Sequence, residues 1–174
     1  QSQRLWGMTR GEHIKPLIAD MKDIGYYEWI NDTMAAIWRL GEPPFLQVYN
    51  FKSNTADTIA VNASRSFRFV PVKKKLIYID KGSEPWQVME WDLKTGSHTK
   101  IAPTPGEYED FAVAFGNFLL LPQESKLMAM DLNNPGSWKE VADFSETAMG
   151  SFYRIAVSPD NKRIAVVAYE GEKP

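Results

Sequence analysis

Leu46-Gln47-Val48-Tyr49-Asn50-Phe51-Lys52 comes back as Val88-Met89-Glu90-Trp91-Asp92-Leu93-Lys94 and again as Leu127-Met128-Ala129-Met130-Asp131-Leu132-Asn133. A degraded copy stands at Leu5-Trp6-Gly7-Met8. The matching positions Met8, Tyr49, Trp91 and Met130 are 41, 42 and 39 residues apart. The copy at Leu46 alternates apolar and polar residues, the pattern of a half-buried strand. Each copy is followed by a polar turn and a short strand centred on Leu17, Ile59, Ile101 and Val141, at spacings of 42, 42 and 40. A second series lies between these. Four hairpins turn near Asp32, Lys74, Gly116 and Asp160, at spacings of 42, 42 and 44, each with an apolar strand on both sides. A period of 40 to 44 residues that holds two hairpins is four strands per repeat, which is a propeller blade. An ordinary β-sandwich with regular strand spacing is the alternative, but two anchor series keep one period.

The rest of the chain agrees with strands. Pro or Gly interrupts nearly every helical window, and the one helix candidate, Pro16 to Lys22, is short. Leu76 to Ile79, Phe118 to Leu121 and Ile164 to Ala168 are continuous apolar runs, as in strands buried on both faces. Lys94-Thr95-Gly96, Asn134-Pro135-Gly136 and Ser158-Pro159-Asp160-Asn161 are turn signals.

Composition narrows the function classes. The 174 residues hold 20 Lys and Arg against 22 Asp and Glu, for a net charge of −2. Such a balance argues against nucleic-acid binding by phosphate neutralisation. With no cysteine there are no disulfides, thiolate metal sites or thiol nucleophiles. No stretch of 18 apolar residues is present, so no helical membrane span is expected. A chain that begins at Gln1 reads as a processed product or as a piece of something longer.

Tyr153-Arg154-Ile155-Ala156-Val157-Ser158-Pro159-Asp160-Asn161-Lys162-Arg163-Ile164-Ala165 resembles the Ser-Pro-Asp-Gly-Lys hairpin of TolB-like β-propellers. Met89-Glu90-Trp91-Asp92-Leu93-Lys94-Thr95-Gly96 is similar to the strand and turn that follow that hairpin in the family's repeat. Trp29 to Leu46, Gly106 to Ala114 and Tyr153 to Ala168 resemble a group of bacterial envelope propellers of this type. The hairpins at Val70-Pro71-Val72 and Ala114-Phe115-Gly116 lack the Asp-Gly signature, and rest on spacing and apolar pattern. The resemblance implies an all-β, TolB-like fold of four-stranded antiparallel blades and a periplasmic or extracellular location.

The phase of the repeat divides the chain. An outer half-blade occupies residues 1–20, full blades 24–61, 64–102 and 106–144, and an inner half-blade 150–170. Two arrangements follow. The chain is the C-terminal portion of a six-bladed ring, as the resemblance implies, or it closes as a four-bladed ring by pairing its first and last halves. In the first case the missing strands come from the remainder of the propeller or from a second copy, because open blade edges aggregate.

Catalytic motifs are lacking. There is no Gly-x-Ser-x-Gly elbow, Gly-rich phosphate loop or His-x-x-x-His pair, so no catalytic residue, metal site or cofactor is assigned. His13 and His98 fall in polar turns and read as solvated. Asp131-Leu132-Asn133-Asn134-Pro135-Gly136 offers oxygen ligands, but Asp and Asn are favoured in such a turn for backbone reasons. In propellers the segments leading from one blade's outer strand to the next blade's inner strand surround a mouth of the central channel. Here they carry Tyr26, Glu28, Arg68, Tyr108, Glu109, Asp110, Tyr153 and Arg154. Charges beside aromatics suit a recognition surface, and the bland alternative is charges solvating a wet channel while aromatics pack between blades. The family pattern has His near Tyr27 and Arg68; neither is present, so no metal role carries over. Three functional readings remain. One is a non-catalytic propeller binding a protein or carbohydrate. Another is a glycan lyase or hydrolase using Glu28, Glu109 and Asp110, and the third is the gating propeller of a serine peptidase. Among the tryptophans, Trp86 is expected to be exposed, after Gly82-Ser83-Glu84-Pro85.

Overall fold

The turn residues that interrupt the helical windows leave the chain to fold as strands. A computed structural model describes residues 2–8, 10–11 and 13–169; Gln1, Thr9, Glu12 and the polar end Glu170-Gly171-Glu172-Lys173-Pro174 lie outside the described residues. Among these there are sixteen strands and no helix. β1 (Trp6–Gly7) and β2 (Lys15–Pro16) form a two-stranded sheet. β3 (Ile24–Asn31), β4 (Met34–Arg39), β5 (Phe45–Asn50) and β6 (Thr55–Val61) form a four-stranded antiparallel sheet in chain order. β7 (Ala63–Val70), β8 (Lys75–Asp80), β9 (Gln87–Asp92) and β10 (His98–Pro103) form a second such sheet. The third holds β11 (Ala112–Ala114), β12 (Phe118–Gln123), β13 (Lys126–Asp131) and β14 (Lys139–Asp143). β15 (Phe152–Val157) and β16 (Ile164–Ala168) close the chain as a two-stranded sheet. The helix candidate at Pro16–Lys22 is instead strand end, bend and turn. A segment so short cannot offset helix nucleation, and its polar groups are engaged elsewhere: Leu17 N–H donates to Leu5 O (2.8 Å) and Arg4 Nη1 to Ala19 O (2.8 Å).

The repeat is visible in the backbone. Each four-stranded sheet carries one bulge between its third and fourth strands, with Ile59, Ile101 and Val141 as the extra residues. These are β-branched side chains at matching positions of the repeat. A bulge increases twist and turns an outer edge away from flat pairing. The third strands end alike as well. Asn50 Oδ1 accepts the Lys52 N–H (2.9 Å), Asp92 Oδ1 the Lys94 and Thr95 N–H groups (2.8 Å each), and Asp131 Oδ1 the Asn133 N–H (2.9 Å). An Asx side chain that captures amides two or three residues on makes the turn locally. This is the physical reason for Asp and Asn in the 131–136 stretch.

The chain forms two compact units, Gln1–Arg65 and Ser66–Pro174. In the first, Leu5, Ile18, Met21, Ile24, Ala35, Ile37 and Tyr49 are buried together, so β1–β2 and the turn after it pack on the β3–β6 sheet. In the second, Ile77, Ile79 and Val88 meet Phe111, Leu119, Leu121 and Met130 between two sheets. A further cluster joins Leu120, Leu127 and Ala129 to Phe152 and Ile155 of β15. The second strands of the four-stranded sheets are buried on both faces, with Leu76, Ile77, Tyr78 and Ile79 all inaccessible, whereas β6 and β14 are largely exposed. That gradient explains the continuous apolar runs at Leu76 to Ile79 and Phe118 to Leu121. The run Ile164 to Ala168 departs from that expectation: β16 pairs with β15 alone among the described residues, and Ile164 and Val167 are 47% and 45% exposed.

Two side chains depart from expectation. Trp86 is partly buried against the second unit's core, with Lys81 Nζ 5.2 Å from its ring centre. His98 sits on β10, not in a turn, and its Nδ1 lies 2.9 Å from the Tyr78 hydroxyl. Burial, aided by the Asp80 charge, pushes that phenol up to about 12.

Candidate functional site

Antiparallel alternation puts the turn between a sheet's second and third strands at the same end as the connection to the next sheet. In the second unit that end gathers residues 81–86, residues 104–111, the turn at Glu124–Ser125 and the segment leading into β15. Hydrogen bonds tie these together. Thr104 N–H donates to Trp86 O (2.8 Å), Gln123 Nε2 to Pro105 O (3.1 Å), Glu124 N–H to the Tyr108 hydroxyl (2.8 Å) and Phe152 N–H to Glu124 O (3.0 Å). At the inner strands the Ser66 hydroxyl bridges the Phe111 backbone, donating to its carbonyl and accepting from its N–H (3.3 Å each). Residues 108–111 therefore hang on a rigid frame.

Glu109 and Asp110 are half-buried, and each meets a cation. Lys81 Nζ is 3.3 Å from Glu109 Oε2, and Arg154 Nε is 3.8 Å from Asp110 Oδ2. Lys81 also lies over Trp86, and the Arg154 guanidinium sits 6.0 Å from the Tyr153 ring centre. Tyr153 stacks with Tyr169 at 4.9 Å. Five of the eight candidate residues, Tyr108, Glu109, Asp110, Tyr153 and Arg154, thus fall on this end of the second unit. Arg68 lines a cleft of about 240 Å³ with Val113, Val157, Ser158 and Asn161, and its Nη1 donates to Phe67 O (2.7 Å).

Tyr26 and Glu28 belong to the first unit, on one face of β3. The Tyr26 ring meets Trp38 edge-on at 5.7 Å. Trp38 is fixed in turn by its indole N–H, which donates to Ala63 O (2.9 Å). Among the described residues no group of three His, Cys, Asp or Glu is placed to hold a metal ion. Sequence reading missed Lys81 and Trp86. Their signal was positional, since the second-to-third-strand loop shares an end with the connection between sheets.

No family model matches the chain, and no curated protein matches it in sequence. Solved structures do match in shape. TolB from Acinetobacter baumannii superposes on 95% of this chain and 42% of its own, with 18% identity and a TM-score of 0.70. The chain has a TolB-like β-propeller fold. Oligogalacturonate lyase in complex with manganese matches 87% of the chain and 46% of its own, at 16% identity and a TM-score of 0.66. The β-propeller domain of the Trilobed protease from Pyrococcus furiosus, described as having an open velcro topology, matches 70% and 43%, at 16% identity and a TM-score of 0.52. This chain spans less than half the length of each of these neighbours. At such identities the likeness speaks for the fold alone.

Proposed function

We propose that the chain is a binding module of the bacterial envelope that recognises a protein or a glycan at the propeller mouth. Tyr108, Glu109, Asp110, Tyr153 and Arg154 form the contact surface on the second unit, with Lys81 and Trp86 as supporting residues. The observation that carries the reading is the pairing of Glu109 with Lys81 and of Asp110 with Arg154. Glycosidic chemistry asks for two carboxylates roughly 5–10 Å apart, one of them able to give up a proton to the substrate. Here each of the two carboxylates stands beside a cation, so the surface offers paired charges of both signs to a ligand. Fixed charges among aromatics, on a hydrogen-bonded frame, are what a specific polar contact needs. No helix among the described residues is long and apolar enough to cross a membrane. The envelope location rests on resemblance to TolB-like proteins.

The test is recovery of partners from a bacterial envelope extract on immobilised protein, with Tyr153→Ala and Arg154→Ala beside the unchanged chain. Truncating an anchor at a contact centre costs at least about 1.4 kcal/mol, so bound partner should fall about tenfold. Equal recovery by all three proteins would remove the mouth as the site.

A further inference from the structure

The three four-stranded sheets share one register, so their side chains compare position by position. Ala56 stands opposite Tyr49 across β5 and β6, and His98 stands opposite Trp91 across β9 and β10. Trp138 comes three residues before the bulge at Val141, as Ala56 and His98 come before Ile59 and Ile101. One position thus holds a ring in the second and third sheets and a methyl group in the first.

In the third sheet the ring has a defined place. Trp138 packs on the core between the β7–β10 and β11–β14 sheets, and its indole N–H donates to Pro103 O at the end of β10 (2.9 Å). Two periods of 42 residues earlier, the equivalent carbonyl is that of Ala19, in the turn after β2. Between that turn and the β3–β6 sheet, where Ala56 replaces the indole, there is a cleft of about 480 Å³. Ile18, Ala19, Arg39, Gln47, Tyr49 and Ala56 line it, so both of its walls belong to the first unit.

A second difference within the repeat changes the chemistry of the wall. Gln47 occupies the position of Met89 and Met128, opposite Thr58 as those stand opposite Lys100 and Glu140. It is 9% exposed, and its Nε2 donates to Thr58 Oγ1 (3.0 Å). Its Oε1 is buried and accepts no hydrogen bond among the described residues. A buried acceptor without a donor is unfavourable and rare. The Ala19 carbonyl, by contrast, already accepts from Arg4 Nη1 (2.8 Å).

We propose that this cleft binds a small heteroaromatic molecule of indole type. The ring takes the place that Trp138 fills in the third sheet, and its N–H donates to Gln47 Oε1. Ile18 and Tyr49 give the ring apolar walls. The volume is in the ordinary range for small-molecule sites, which combine such walls with a few placed polar groups. The site is independent of the contact surface on the second unit.

The experiment is calorimetric titration of the chain with indole and, separately, with 1-methylindole. Indole should bind saturably, one molecule per chain. 1-Methylindole has no N–H to give and should bind about fivefold more weakly, the worth of one hydrogen bond. Gln47→Met copies the second and third sheets. It should weaken indole by a similar factor and leave 1-methylindole unchanged, a coupling that general damage to the cleft would not produce. Ala56→Trp supplies the ring covalently, at a position that is exposed in the sheet. This variant should lose indole binding and unfold at a higher denaturant concentration than the unchanged chain, which also shows that it is folded. No saturable binding of indole would overturn the proposal. Equal affinity of the unchanged chain for the two ligands would overturn it too, as would binding that persists in Ala56→Trp, since the ring would then sit elsewhere.

Discussion

Gly25 shows how one residue is set by its neighbour. A Cβ built there would come within 2.7 Å of the Trp38 ring. That ring cannot retreat freely, since its indole N–H holds the buried Ala63 carbonyl and its edge meets Tyr26. Gly25→Ala should therefore cost about 1–3 kcal/mol through overpacking. Urea unfolding is the measurement, and a loss below about 0.5 kcal/mol would mean that the ring gives way easily. Trp38 was legible as an apolar strand residue; the need for glycine opposite it was not, because the two meet only across a strand pair. The same holds for Glu109 and Lys81, which lie 28 positions apart in sequence and 3.3 Å apart in space.

At the scale of the element, the turns after the third strands repay attention because sequence and structure agree there for a stated reason. Asp92 caps its turn by accepting two backbone amides and also meets Lys75 Nζ at 2.7 Å. The Lys75 ammonium first, and the Thr95 amide after it, hold this carboxyl far below the usual carboxylate range. A depressed carboxyl contributes stability that is present above its unfolded value near 3.8 and is lost as pH falls through the folded value. Asp92→Asn keeps an oxygen for the turn amides and gives up the ion pair. The variant should be less stable at pH 7 and should lose less on going from pH 5 to pH 2. Denaturant midpoints at those three pH values decide it, and parallel pH curves for the two proteins would refute the assignment. The bulges at Ile59, Ile101 and Val141 are the counterpart that was not legible. The sequence shows a short strand centred on each, but an unpaired extra residue is a property of register between two strands.

Over the whole molecule, burial is organised between sheets. Leu119 is fully buried in the second unit, within a cluster drawn from the β7–β10 and β11–β14 sheets. Leu119→Ala should cost about 2–5 kcal/mol, the range for a cavity in a packed core. Hydrogen exchange should locate the loss. Amides of β7–β14 should exchange faster, while those of β3–β6, which rest on the separate cluster around Ile37 and Tyr49, should change less. A uniform change across both units would refute that division.

The amino-acid sequence by itself determined the strands, their period of about forty residues and the polar turns between them. Each of these is a local property, set by alternation, by Pro, Gly and Asx geometry, and by apolar runs that suit strands covered on both faces. Only the tertiary structure decided which charges meet, where the registers slip and which apolar faces go uncovered. Those depend on side chains from different strands arriving at one place, and a repeat in sequence records the strands without recording what lies across the gap.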